Sequence, residues 1–317
     1  MIVVTGGAGF IGSNLVHALN ARGRDDILLV EDLSDGHKSL NLAGASITDY
    51  LDKDDCLRLL DSGRELAAEV ETVYHLGACS DTTEWDGRYM MRENFSYSRA
   101  LFEHCQARRI PFVYASSAAV YGTGRAFTEC PDNERPLNVY GYSKLVFDQY
   151  VRKRLTVAPS AAVVIGLRYF NVYGPREQHK GGMASVAWHF HQQLTATGRL
   201  ELFEGSHGYA DGEQQRDFIH VDDAVAVTLW SAVQAPQASG IYNCGTGAAA
   251  SFNAVARAVI DWHGRGHIVY KPFPPTLLAA YQAYTEASLG RRRAAGYTGS
   301  FRAVSEGVRE YLRWLSS

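Results

Sequence analysis

Near-continuous apolar runs at Ile27–Val30, Ala45–Ile47, Thr72–His75, Pro111–Ala115 and Ala161–Leu167 alternate with helical patterns, and a further β-type run, Met1–Thr5, opens the chain. Strands that are apolar on both faces belong to parallel sheets, because each crossover lays a helix over the sheet. The pattern predicts an α/β fold with a doubly wound parallel sheet, whose ligand lies beyond the carboxyl ends of the strands. Ile11, Leu15, Ala18 and Leu19 form the apolar face of the first helix.

Past residue 170 the pattern changes. Asn171–Gly182 reads as a polar Gly/Pro loop, and Met183–Thr197, Val221–Val233, Phe252–His263 and Phe301–Leu315 read as helices. In the last of these, Val304, Val308, Tyr311, Leu312 and Leu315 form one buried stripe. The expected organisation is a sheet domain over 1–170 and a smaller mixed α/β lobe over 171–317, with some later elements returning to the first.

Composition narrows the ligand. With 31 basic and 34 acidic residues and a net charge of −3, no concentrated positive face is expected, so neither nucleic acid nor membrane is an expected partner. No apolar stretch reaches the roughly 18 residues a bilayer requires. Met1 leads into a strand rather than a basic leader, so a cytoplasmic location is expected. Cys56, Cys79, Cys105, Cys130 and Cys244 are odd in number and scattered, which predicts buried free thiols rather than disulfides or a zinc site. His189-x-His191 splits its rings across a helix, so no metal is expected.

The chemistry begins with Gly6, Gly9 and Gly12, spaced G-x-x-G-x-x-G directly after the first strand. They allow a tight turn, close backbone approach to a dinucleotide pyrophosphate, and packing of helix on strand. Glu31-Asp32, after the second strand, suit the ribose diol of NAD; Lys38 and Lys53 offer cations for the adenosine 2′-phosphate of NADP. Tyr140 and Lys144 share a helix face. A free tyrosine is a poor base at neutral pH, but a neighbouring ammonium favours its phenolate. Phe112–Ser117 is a strand that delivers hydroxyls at its end, and Ser117 is the third candidate, placed to hydrogen-bond a reacting alcohol. The bland alternative is that these serines satisfy backbone groups at a strand end.

In this order and spacing, the three elements resemble the extended short-chain dehydrogenase/reductase family of nucleotide-sugar epimerases and dehydratases, over essentially the whole chain. His75-Leu76-Gly77-Ala78, Asn94 and Arg168–Arg176 match it too, although the family usually has a glutamate where Leu76 stands. The resemblance implies a Rossmann sheet, NADP rather than NAD, and cofactor contacts at Gly6, Gly9, Phe10, Ile11, Gly12, Glu31, Asp32, Lys38, Lys53, Leu76, Gly77, Ala78, Ser80, Asn94, Lys144, Val172 and Lys180. Dehydratases of the family carry Asp-Glu after the catalytic hydroxyl, where this chain has Ala118-Ala119, so dehydration is disfavoured.

Cys79–Gly87, Leu137–Lys144, Gly174–Gly181, Phe203–Ser206 and Tyr281–Thr285 look like the subgroup of that family whose substrate is an ADP-heptose nucleotide sugar. This implies inversion at C6″ through a transient ketone, for the lipopolysaccharide inner core. It also implies Lys180 as a second acid/base group beside Tyr140, and a homo-oligomer, by resemblance a homopentamer. Substrate contacts are implied at Ser117, Asn171, Gly182, His189, Phe203, Glu204, Gly205, Ser206, Arg216 and Tyr281, with His189 equally readable as a core histidine. The rival readings are a UDP-hexose 4-epimerase and a non-catalytic redox-sensing binder; the intact Ser117, Tyr140 and Lys144 argue against the latter.

Overall fold

Ile2–Thr5 (β1) is buried at every position and sits inside a seven-stranded sheet. To one side lie Ile27–Glu31 (β2) and the edge strand Asp49–Asp52 (β3). To the other lie Thr72–His75 (β4), Phe112–Ser117 (β5), Val164–Tyr169 (β6) and Gly240–Cys244. β1 pairs in parallel with both neighbours, so Thr5 stands opposite Val30 and His75. β2 with β3, and β4 with β5, are parallel as well. Strand order reverses between β1 and β4, and their carboxyl ends border the switch point at which such sheets bind ligands.

The computed structural model describes residues 1–158, 160–278 and 281–317. Contacts divide the chain into two compact units: Met1–Val120, Asn138–Arg168 and Val225–Tyr242 form one, and Tyr121–Leu137, Tyr169–Ala224 and Asn243–Ser317 the other. Tyr121–Leu137, read from sequence with the sheet domain, groups instead with the second unit. There the Tyr121 hydroxyl donates to Asn243 Oδ1 at 2.7 Å, and Asn243 Nδ2 donates to the Phe127 carbonyl at 2.5 Å.

Each unit has its own core. In the first, Val3, Val73, Leu101, Phe102, Phe112, Phe147 and Val164 pack between sheet and helices. In the second, Phe190, Leu194, Val255, Val259, Val308, Tyr311 and Leu312 bring three helices together, and the predicted stripe of the last helix is part of that core. No described helix is long and apolar enough to cross a membrane.

The third strand is Asp49–Asp52, not Ala45–Ile47; as an edge it is paired on one side only, and its acidic ends suit an unpaired flank. Asn171–Tyr173, expected as loop, is a short strand parallel to Phe218–His220, and the loop after it contains a 3-10 turn at Gln178–Met183. The next helix begins at Val186 rather than Met183, because the Ser185 hydroxyl caps it by accepting Trp188 N at 3.3 Å. The last helix begins at Val304 rather than Phe301, where its buried stripe begins, and the helix after Phe218–His220 ends at Ala232, before the exposed Val233. Cys56, Cys105 and Cys244 are buried, whereas Cys79 and Cys130 are only half-buried.

Candidate active site

The glycine turn is built by steric exclusion. Gly6 has φ +67°, and a Cβ there would lie 2.5 Å from Gly77 N; one on Gly12 would lie 2.0 Å from the Gly6 carbonyl oxygen. Only glycine lets β1, the turn after β4 and the first helix approach so closely. That helix, Phe10–Asn20, starts at Gly9 with no side-chain cap, and a helix amino terminus of this kind is where an anion binds. Glu31 Oε2 accepts the Ala8 N–H at 2.9 Å, tying the turn to the end of β2.

Gly6, Val30, Glu31, Asp32, Lys38, Lys53, Gly77, Ala78, Cys79, Tyr89, Glu93 and Tyr97 line a cavity of about 140 Å³. Seven of these are among the cofactor contacts expected above. A glycine cradle beside a cavity that ends in acidic and basic side chains fits the adenosine half of a dinucleotide. Tyr89, Glu93 and Tyr97 were missed, because they belong to the chain after β4 and carry no motif. Glu93 comes from a six-residue π-helix, Met91–Ser96, an element for which the sequence shows no period. Its neighbour Asn94 is fully buried and ties three elements together: Oδ1 accepts Cys79 N at 2.9 Å, and Nδ2 donates to the Cys79 carbonyl and Ser143 Oγ, both at 3.0 Å. Leu76 extends β4 by donating its N–H to Thr5 O at 3.0 Å.

The Val139–Val157 helix is capped by Asn138, whose Oδ1 accepts Gly141 N at 2.8 Å, and so its first turn presents Tyr140 and its second Lys144. Burial pushes the Tyr140 phenol up, and the Ser117 hydroxyl, hydrogen-bonded to it, pulls the other way. Ser117 Oγ also accepts Ala119 N at 3.1 Å. Lys144 is 4 % exposed; burial lowers its pKa to about 8, opposed by the carboxylate of Asp148, and its Nζ donates to the Ala115 carbonyl at 3.0 Å. Ser117, Tyr140 and Lys144 therefore converge at the end of β5. Ser116, by contrast, points into the core and donates to Asp148 Oδ2 at 3.0 Å.

The second unit holds the remaining candidates. Glu177 is fully buried; its carboxylate accepts Ser185 N and Oγ at 2.6 Å each and Gly174 N at 3.3 Å, clamping both ends of the segment that carries Lys180. Burial lowers the Lys180 pKa, and Glu177 partly restores it. His189 is half-buried, with Nε2 3.3 Å from the Gly182 carbonyl. Asn171 and Val172 belong to the short strand beside Phe218–His220. Phe203, Arg216 and Tyr281 come together, with the Arg216 guanidinium 4.8 Å over the Tyr281 ring and Phe273 joining Phe203 and Tyr281 at 5.3 and 5.0 Å. Phe273 and His207, 6.0 Å from Tyr281, were missed, since neither falls in a recognisable motif. Gln214 Nε2 donates to the Glu204 carbonyl at 3.0 Å and to Ser206 Oγ at 3.1 Å, ordering the turn through Gly205. His220, Asp222 and Glu310 bring possible ligand atoms within 4.8 Å of one another, but Arg302 donates to Glu310 at 2.7 Å and lies 3.6 Å from Asp222. That cluster reads as an ion-pair network.

Residues 2–245 match the model of the NAD dependent epimerase/dehydratase family. The chain is 63% identical, over 312 residues, to an ADP-L-glycero-D-manno-heptose-6-epimerase of Alkalilimnicola ehrlichii, covering 98% of this chain and 96% of that protein. Among solved structures it resembles the ADP-L-glycero-D-manno-heptose-6-epimerase of Helicobacter pylori, with TM-score 0.84 and 29% identity across 100% of this chain and 96% of that one. It also resembles a Thermotoga maritima UDP-glucose 4-epimerase with UDP-glucose, with TM-score 0.79 and 26% identity across 100% and 99% of the two chains.

Proposed function

The chain belongs to the NAD dependent epimerase/dehydratase family, and from that premise we propose that it converts ADP-D-glycero-D-manno-heptose to ADP-L-glycero-D-manno-heptose by inverting C6″. The observation that carries this reading is the 63% identity over nearly the full length of both chains. The product would serve the lipopolysaccharide inner core, and the enzyme would work in the cytoplasm as a homo-oligomer, by resemblance a pentamer.

Direct deprotonation of an unactivated carbinol carbon is prohibitively hard, whereas oxidation to a planar ketone erases its configuration. A bound nicotinamide dinucleotide would supply the hydride acceptor and donor for that oxidation and its reversal. Tyr140 takes the hydroxyl proton as its phenolate, with Ser117 holding the oxygen in place. Lys144 holds a positive charge nearby at neutral pH, since its pKa of about 8 leaves it mostly protonated.

The ketone must be reduced on its other face, with its oxygen in a second orientation, and Lys180 is the second acid/base group. Its lowered pKa brings the ammonium nearer to neutral pH, where proton donors work best. Ala118 and Ala119 offer no acid or base to eliminate water, which favours epimerisation over dehydration.

Within the pocket beyond β2, NADP is the proposed cofactor, with Lys38 and Lys53 meeting the adenosine 2′-phosphate. Proton NMR of the purified protein with ADP-D-glycero-D-manno-heptose, and separately with UDP-glucose, tests the reading. The expected result is an equilibrium mixture of the two heptose epimers and untouched UDP-glucose. Turnover of UDP-glucose with no conversion of the heptose overturns it.

A further inference from the structure

The pocket beyond the end of β2 contains more negative charge than its two lysines balance. Lys38 Nζ donates to Glu31 Oε1 at 3.2 Å and to the Asp32 carbonyl at 2.8 Å. Lys53 Nζ donates to Glu93 Oε2 at 2.7 Å and lies 3.8 Å from Asp32 Oδ2. Three carboxylates, Glu31, Asp32 and Glu93, thus line one small cavity with two ammonium groups, Lys38 and Lys53. Glu93 is held rigidly: it is 9 % exposed, it sits in the π-helix, and Oε1 accepts Arg92 Nε at 2.8 Å. π turns are rare and concentrate at functional sites.

At the end of the second strand, an adenosine ribose presents either a 2′-hydroxyl or a 2′-phosphate. The hydroxyl needs only an acceptor, which Glu31 and Asp32 supply. The phosphate gains from an ammonium only as far as that ammonium is not already neutralised, and the Lys53–Glu93 contact is as short as charge-assisted hydrogen bonds become. We infer that Glu93 sets the discrimination between NAD and NADP, by competing with the adenosine 2′-phosphate for Lys53. The inference rests on the reading of Lys53 as a 2′-phosphate contact. Removing the charge of Glu93 takes from Lys53 its one hydrogen-bonded carboxylate, leaving Asp32 and Asp54 at 3.8 and 3.9 Å, and tilts the site toward the phosphorylated dinucleotide; an ordinary structural ion pair would affect both dinucleotides alike.

The test uses fragments that occupy only the adenosine half, so it is independent of turnover. Adenosine 2′,5′-bisphosphate and 5′-AMP are titrated calorimetrically into the wild-type protein, Glu93→Gln, Lys53→Met and the double variant. The expected result is that Glu93→Gln strengthens bisphosphate binding on the order of tenfold while leaving 5′-AMP unchanged, and that the double variant loses the gain. If Lys53→Met weakens the bisphosphate but Glu93→Gln does not strengthen it, the inference about Glu93 fails alone. If Lys53→Met leaves the bisphosphate unchanged, the 2′-phosphate reading of Lys53 fails, and the inference falls with it.

Discussion

Asp148 Oδ2 accepts a hydrogen bond from Arg168 Nε at 2.9 Å and pairs with Nη2 of the same guanidinium at 2.9 Å, and neither side chain has any exposed surface. The same carboxylate accepts the Tyr114 hydroxyl at 2.9 Å and the Ser116 hydroxyl at 3.0 Å. One buried charge therefore joins the helix of Tyr140 and Lys144 to β5 and β6, one residue before Ser117. Stripping one partner from a buried ion pair leaves the other uncompensated and typically costs about 3–5 kcal/mol. Asp148→Asn is expected to lower stability by that order, read from the shift in the urea unfolding midpoint followed by tryptophan fluorescence. A variant within about 1 kcal/mol of wild type would show that the network contributes little.

His75 makes the stability pH-dependent. Its ring is buried between the Thr5 hydroxyl, 2.7 Å from Nδ1, and the Ser98 hydroxyl, 2.8 Å from Nε2, and burial pushes its pKa down from 6.5 to about 3. The unfolded chain binds a proton below 6.5 that the folded chain refuses until about 3. The contribution of the neutral ring is therefore complete above 6.5 and falls as pH drops through that window. By pH 5 the wild type should lose about 2 kcal/mol that His75→Gln does not lose. Parallel denaturant titrations of the two proteins at pH 7 and pH 5 check this, and equal losses would refute it.

Ser117 acts on Tyr140 against burial. With the hydroxyl removed, burial raises the phenol unopposed, so the Tyr140 pKa rises further. Because the base must be deprotonated to act, the acidic limb of kcat against pH moves to higher pH in Ser117→Ala, and turnover at neutral pH drops by about 100-fold. A lower rate with an unmoved limb would mean that Ser117 positions substrate without tuning Tyr140.

What could be read in advance followed from periodicity and local motifs. β1, β2 and β4 are apolar on both faces, and Gly6, Ser117, Tyr140 and Lys144 lie at ends of elements whose pattern is strong. Asp49–Asp52 escaped notice because an edge strand need not be apolar. Asn171–Tyr173 escaped because three residues are too few to show a period, and its partner lies more than forty positions away. Glu93, Tyr89 and Phe273 are brought to their neighbours by tertiary packing, and no spacing along the chain marks them.

In the proposed epimerisation one hydrogen would leave C6″ as hydride and return to the same carbon on its other face. The decisive experiment incubates ADP-D-glycero-D-manno-heptose carrying deuterium at C6″ with the protein in ordinary water and follows the label by NMR and mass spectrometry. The expected L-glycero product retains the deuterium at C6″. A product that has exchanged it for solvent hydrogen would mean that C6″ is inverted by deprotonation, without hydride transfer.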